Sequence, residues 1–194
     1  MPTYSFLIKI IDMACDLTIG RKVPCKDVAG GIKAVYFTDF GDMGTLSISN
    51  DNLVDATGTF TAFKYELKGN SSLETTVNAS RENGTVFYEQ TLNLTLTKLT
   101  KEDNQELKLL AFGRPHVAVE TYNGNFWFCG RENGMDVSGG TIVTGAAMGD
   151  LNGYTLTLTG QETLPPNFCN NATAGNPYAG LSSATVTVTV GTNS

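Results

Sequence analysis

TLNLTLTKL, residues 91–99, alternates leucine with threonine or asparagine. A half-buried strand points successive side chains to opposite faces, so Leu92, Leu94 and Leu96 fall on one face and Thr91, Asn93, Thr95 and Thr97 on the other. GYTLTLTG from Gly153 and ATVTVTVG from Ala184 repeat the pattern. Further runs of the same kind are YSFLIKII near the start, KAVYFTDF from Lys33, TFTAFKYELK from Thr59, VAVETY from Val117 and FWFCG from Phe126. Together they predict about nine or ten strands, rich in the Thr and aromatic residues that suit a pleated surface.

The connections agree with that pattern. Asn-Gly occurs at 83–84, 123–124, 133–134 and 152–153, and this dipeptide accepts the positive φ angles of a tight hairpin, so consecutive strands are expected to pair antiparallel. RENG occurs twice, from Arg81 and from Arg131, each time leading into a β-like run, as a duplicated hairpin would. One helix stands out in TKEDNQELKLLAFG. Thr100 is placed to cap it, Glu102 and Asp103 suit its positive end, Leu107, Leu110 and Ala111 form an apolar stripe, and Gly113 then Pro115 end it. The expected fold is mainly β, an antiparallel β-sandwich or barrel with one packing α-helix, as a single domain over residues 1–194. Residues 15–31 and 164–183 are rich in Gly, Pro and Asn with little periodicity, and are expected to be irregular arms that contact other subunits.

Composition narrows the function. The formal charge is -6 and no cluster of Lys and Arg is present, which argues against tight binding to nucleic acid. An acidic wall has another use, because it lets DNA slide past without sticking. No stretch reaches the roughly 18 apolar residues of a membrane-spanning helix, and the first residues lack the basic start of a secretory signal, so folding in the cytosol is expected. The four cysteines, Cys15, Cys25, Cys129 and Cys169, include no C-x-x-C pair, and His116 is the sole histidine. A zinc site is therefore not expected, and the thiols are read as free and buried, with Cys15 and Cys25 able to bracket a loop if oxidised.

The same sparse set of reactive groups argues against catalysis. His116 follows Pro115 at the head of a strand, where it reads as a structural residue, and neither a G-x-S-x-G elbow nor an H-E-x-x-H helix is present. Gly30-Gly31 and Gly139-Gly140 do not sit between a strand and a helix as a phosphate cradle must. Glu120, Glu132, Asp136, Asp150 and Glu162 could supply a carboxylate pair for glycoside chemistry, but no aromatic-lined cleft is evident around them. Asp150-Leu-Asn152-Gly153 opens like a calcium loop, yet Gln161 stands where the bidentate Glu belongs. The Asn-x-Ser/Thr triplets at Asn70, Asn78, Asn83, Asn93 and Asn171 read as chance in a chain so rich in these residues. In Phe126-Trp127-Phe128 the outer rings share one face, leaving Trp127 on the other for core or interface. No catalytic, cofactor-binding or metal-binding residue is assigned.

The run from Thr85 to Phe168, with strands, one helix, more strands and the hairpin TGAAMGDLNGYTLTLTGQE before Leu164-Pro165-Pro166, resembles the tail tube and related ring proteins of tailed bacteriophages, particularly those infecting Bacteroidetes. GRKVPCKDVAGGIKAVYFTDFGD, residues 20–42, is similar to structural proteins of such phages. The resemblance implies a virion structural protein of the tail tube or of a neck or tail ring, made in the host cytoplasm. It implies homomeric rings, as hexamers or multiples, in contact with adjacent tail or neck proteins, with an acidic lumen for the passing DNA and no membrane partner. The rival reading is a β-sandwich binding module, a carbohydrate-binding or adhesin domain, with Trp127 and Tyr122 or Tyr154 as its aromatic platform.

Overall fold

The computed structural model describes residues 19–22, 26 and 28–191. The expected YSFLIKII strand, Cys15, Cys25 and residues 15–18, 23–25 and 27 of the 15–31 arm lie outside the described residues. The described chain is mainly β, with twelve strands and one helix. In chain order the strands are β1 (Ile32–Thr38), β2 (Leu46–Ser49), β3 (Asn52–Ala56), β4 (Thr59–Glu66), β5 (Ser72–Ser80) and β6 (Thr85–Thr97). After α1 (Lys101–Phe112) come β7 (His116–Thr121), β8 (Phe126–Cys129), β9 (Asp136–Val143), β10 (Gly153–Glu162), β11 (Asn167–Cys169) and β12 (Thr185–Val190).

They form two sheets. The larger has eight strands in the order β12-β4-β1-β7-β8-β11-β3-β2, and the smaller has four in the order β5-β6-β10-β9. β2–β3, β5–β6, β7–β8 and β9–β10 pair antiparallel, and of the four Asn-Gly dipeptides those at 83–84 and 123–124 sit at hairpin turns, whereas 133–134 joins strands of different sheets and Gly153 already lies in β10. The large sheet is nevertheless mixed: β11 joins β3 and β12 joins β4 in parallel. Parallel neighbours need a long crossover, which turn dipeptides do not announce.

The large sheet rolls up. β3 and β4 are seventh and second in it, about 24 Å apart were it flat, yet only Thr57 and Gly58 connect them. That link reaches about 11 Å at most, so the sheet must curl. The curl encloses one core in which Leu53 and Ala56 of β3, Phe60 and Ala62 of β4, and Tyr36 and Phe128 of the middle strands meet. Met43 and Tyr178, both buried, enter it from loops. No closed barrel results, because β12 and β2 remain as edges.

The outer face of the roll carries the second core, against the small sheet. Val35, Val117 and Val119 of the roll pack there with Leu92, Leu94 and Leu158 of the small sheet. The leucine face read from TLNLTLTKL is thus the buried one, with Leu92 and Leu94 enclosed and Leu96 packed beside them. Thr and Asn line the outer face, where Thr157 donates to Asn93 at 2.9 Å and the hydroxyls of Thr141 and Thr155 lie 2.6 Å apart.

The helix forms where expected. Thr100 accepts the Asp103 N–H at 3.0 Å, capping the first turn. Its packing stripe is narrower than the sequence suggests: Leu107 is buried and Leu110 joins the outer core, while Ala111, Leu109 and Phe112 face solvent.

The turns hold a correction. Among the described residues, positive φ at two consecutive positions occurs at Asn50-Asp51, the β2–β3 hairpin turn, at 50° and 58°, and at Gly69-Asn70 between β4 and β5, at 69° and 47°. At 83–84, 123–124 and 133–134 only the glycine is left-handed, which fits a type I turn closed by glycine. The RENG copies are also unlike. Arg81–Gly84 tips the β5–β6 hairpin, whereas Arg131–Gly134 carries the chain from one sheet to the other.

Two substitutions test this layering. Leu94→Ala should cost about 2–5 kcal/mol in a denaturant titration, because it opens the core between the sheets. Glu74→Ala, on the exposed outer face, should change stability by less than about 0.5 kcal/mol. Equal effects would contradict the burial pattern.

Candidate functional surfaces

The acids singled out in the sequence do not converge on one cleft. Glu120 is buried in β7, where Lys33 donates to it at 2.5 Å and the Tyr36 hydroxyl at 2.7 Å. Burial, and then the bond to Glu120, push the Tyr36 phenol far above its usual range. Glu162 at the end of β10 accepts the Glu132 N–H at 3.0 Å and the Asn133 N–H at 2.9 Å, so both its role and its position are set by the 131–134 turn. Burial raises the Glu162 carboxyl, whereas Glu132, more exposed and paired with Arg131, is lowered. Asp150 accepts the Ala146 and Ala147 amides at 2.9 and 2.7 Å, closing the β9–β10 turn on itself. Asp136 is exposed at the start of β9.

His116 is buried between the rings of Phe40 and Phe128, and its Nδ1–H donates to the Gly130 carbonyl at 2.6 Å. Desolvation lowers its pKa, so it is held as a neutral core residue. Cys129 and Cys169 are free, and burial pushes their thiols up, that of Cys169 to about 12, which leaves them protonated and unreactive. Among the described residues, no three His, Cys, Asp or Glu side chains are placed to hold a metal ion. Among them, too, no helix is long and apolar enough to cross a membrane.

A residue that the sequence reading missed anchors the 164–183 segment. Asp55 of β3 accepts the Ser182 and Ser183 amides at 3.0 and 2.9 Å and their hydroxyls at 3.1 and 2.6 Å. Further along, Tyr178 fills the roll core, and Asn167–Cys169 is a strand of the large sheet. The segment therefore has a structural job within its own chain. The Ser182-Ser183 pair was the only signal, and no local pattern links it to an aspartate 127 residues away.

Three exposed features remain. The first is edge β12, Thr185-Val-Thr-Val-Thr-Val190, paired to β4 on one side only. It has no charge, Pro or Gly, the devices with which proteins usually blunt an edge. The second is the outer face of the small sheet, a Thr- and Asn-rich surface whose four strands contain no Lys or Arg. The third is the β5–β6 hairpin, which overhangs the body with Val77 58% and Val86 55% exposed.

Two grooves open where the sheets splay. One, of about 610 Å³, is lined by Ile32, Leu73, Val77, Tyr88, Trp127 and Pro166. Trp127 lies against Phe168 with ring centroids 4.0 Å apart. Half-exposed Tyr122 lies beside Gly31 on the rim, but Tyr154 is buried and its hydroxyl donates to the Thr100 carbonyl at 3.2 Å, so it cannot belong to a platform. The other groove, of about 570 Å³, lies between α1 and β4. Compared with family models, with curated proteins and with solved structures, the chain has no match in any of the three.

Asp55 gives a pH test. Hydrogen bonds, first from Ser183, hold its carboxyl well below the usual carboxylate range. A depressed carboxylate contributes stability that is present above the unfolded pKa and is lost as pH falls through the folded one. The difference in stability between wild type and Asp55→Asn should therefore be constant above about pH 5 and shrink steadily below about pH 4. A difference independent of pH across that range would contradict the clamp.

Proposed function

We propose that this chain is a non-enzymatic virion structural protein, a subunit that joins copies of itself into a ring of a bacteriophage tail tube or of the neck or tail ring through which DNA passes. The observation that carries the proposal is the uncharged, six-residue edge Thr185–Val190, whose outer N–H and C=O groups have no ladder partner among the described residues. An edge of this kind pairs readily with another chain, and a ring of identical copies satisfies every such edge at once. The resemblance of residues 85–168 to tail tube and ring proteins supports the same reading. So does the small sheet's outer face, which offers hydroxyls, amides, Glu74 and Glu89 but no cation to hold a phosphate backbone. Adjacent tail or neck proteins are the expected further partners, and the virion tail the expected location.

A second reading, a β-sandwich binding module, is favoured by one observation: Trp127 and Tyr88 line an open groove that also carries the hydroxyls of Ser72 and Thr75. Aromatic faces with nearby hydroxyls suit a sugar ring.

Size-exclusion chromatography with light scattering and negative-stain microscopy separates the two. The ring reading predicts closed rings or tubes at high concentration. A strictly monomeric protein that binds a glycan would overturn it in favour of the binding module.

A further inference from the structure

We propose that the tip of the β5–β6 hairpin of one copy seats in the groove between α1 and β4 of the next copy, a head-to-tail contact. The inference rests on the self-assembly reading and names the surfaces that would perform it.

Cross-strand register defines the hairpin face. Leu73 lies opposite Leu92, Val77 opposite Tyr88, and Ala79 opposite Val86. Directly opposite residues, and those two further along, share a face, so the apolar face that covers the core at Leu92 continues outward to Val86. Nothing in the described chain covers its outer end, where Val77 and Val86 are more than half exposed, and Phe87 on the reverse face is 37% exposed. Burying side chains of this kind removes a standing hydrophobic cost.

The groove between α1 and β4 is the matching concavity. Phe40 and Phe63 lie on its sheet side, and Leu109 and Phe112 on its helix side. Phe112 is 83% exposed at the end of the helix, where no neighbour in the described chain explains a phenylalanine. Charges match as well. Asp39, Glu106 and Asp136 line the groove beside Arg114, and the hairpin tip brings Arg81 with Glu82. Arg81 would face the acids, and Glu82 the guanidinium of Arg114, which stacks over Phe40 at 4.3 Å.

Placement makes the contact intermolecular. Val77 of the hairpin shares its groove with Ile32, at one end of β1, whereas Phe37, at the other end, lines the groove beside α1. Those ends are about 17 Å apart along the strand, and the hairpin projects away from the body. A projection at one end and a socket at the other form a heterologous interface, which propagates from copy to copy into a ring or a stack.

The test uses Val86→Asp and Phe112→Asp in the full chain, both at exposed positions where the melting temperature should stay that of wild type. Each variant alone should assemble less than wild type in sedimentation at the same concentration, because only the β12 edge is left to it. An equimolar mixture should form larger complexes than either variant alone, because one partner keeps a working hairpin and the other a working groove. Assembly of either single variant like wild type, or a mixture no larger than either variant alone, would overturn the hairpin contact while leaving the ring reading intact. A wild-type chain that is itself monomeric would overturn both.

Discussion

Thr57 and Gly58 impose the constraint on which the rest of this fold depends. They carry the chain between strands that stand seventh and second in an eight-stranded sheet, and a flat sheet would put those strands beyond their reach. The sheet must roll, and rolling gives it an inside and an outside, each with its own core. Gly58 takes part directly: its amide bonds the Met43 carbonyl at 3.0 Å, and a Cβ there would stand 1.9 Å from the Asp42 carbonyl oxygen. Once the roll exists, the small sheet has a convex apolar surface to cover, and the ends of that cover leave the two grooves.

Interior demands explain the buried polar groups. Glu120, enclosed in the roll, keeps its charge balanced by Lys33 and its second oxygen occupied by Tyr36. Breaking such a set exposes an uncompensated charge to the core, so it specifies one arrangement more than it adds stability. Glu162 and His116 are satisfied by backbone groups of one short stretch, residues 130–133, where the chain leaves the roll for the small sheet. Glu162, Asp150 and His116 are thus occupied in holding loops, Glu120 is held between Lys33 and Tyr36 of β1, and Asp136 is exposed.

The sequence displayed what local periodicity controls. TLNLTLTKL and GYTLTLTG gave a buried leucine face because alternation and burial share a period of two, and Thr100 announced its helix by a local hydrogen bond. Hidden were β5, whose residues are exposed on both faces over much of its length and so carry no apolar alternation, and the short β2 and β3, while β9 showed only as the β-like run after the second RENG. Hidden too were the parallel partners of β11 and β12, and the Asp55 clamp, which depend on contacts between residues far apart in the chain. Tyr154 was misplaced on a possible platform because period-two reasoning assigns a face without saying which face is covered.

Exposed edge, face and hairpin surfaces distinguish the described part of this molecule. Its uncharged edge, its cation-free sheet face and its overhanging hairpin all ask for a neighbour, and the account's central claim is that this neighbour is a sister copy. Hydrogen exchange of the β12 amides, compared between dilute and concentrated protein, tests it most directly. The account predicts that the outward-facing amides of Thr185–Val190 become protected on concentration, together with those of the hairpin tip. Protection identical at both concentrations would contradict it.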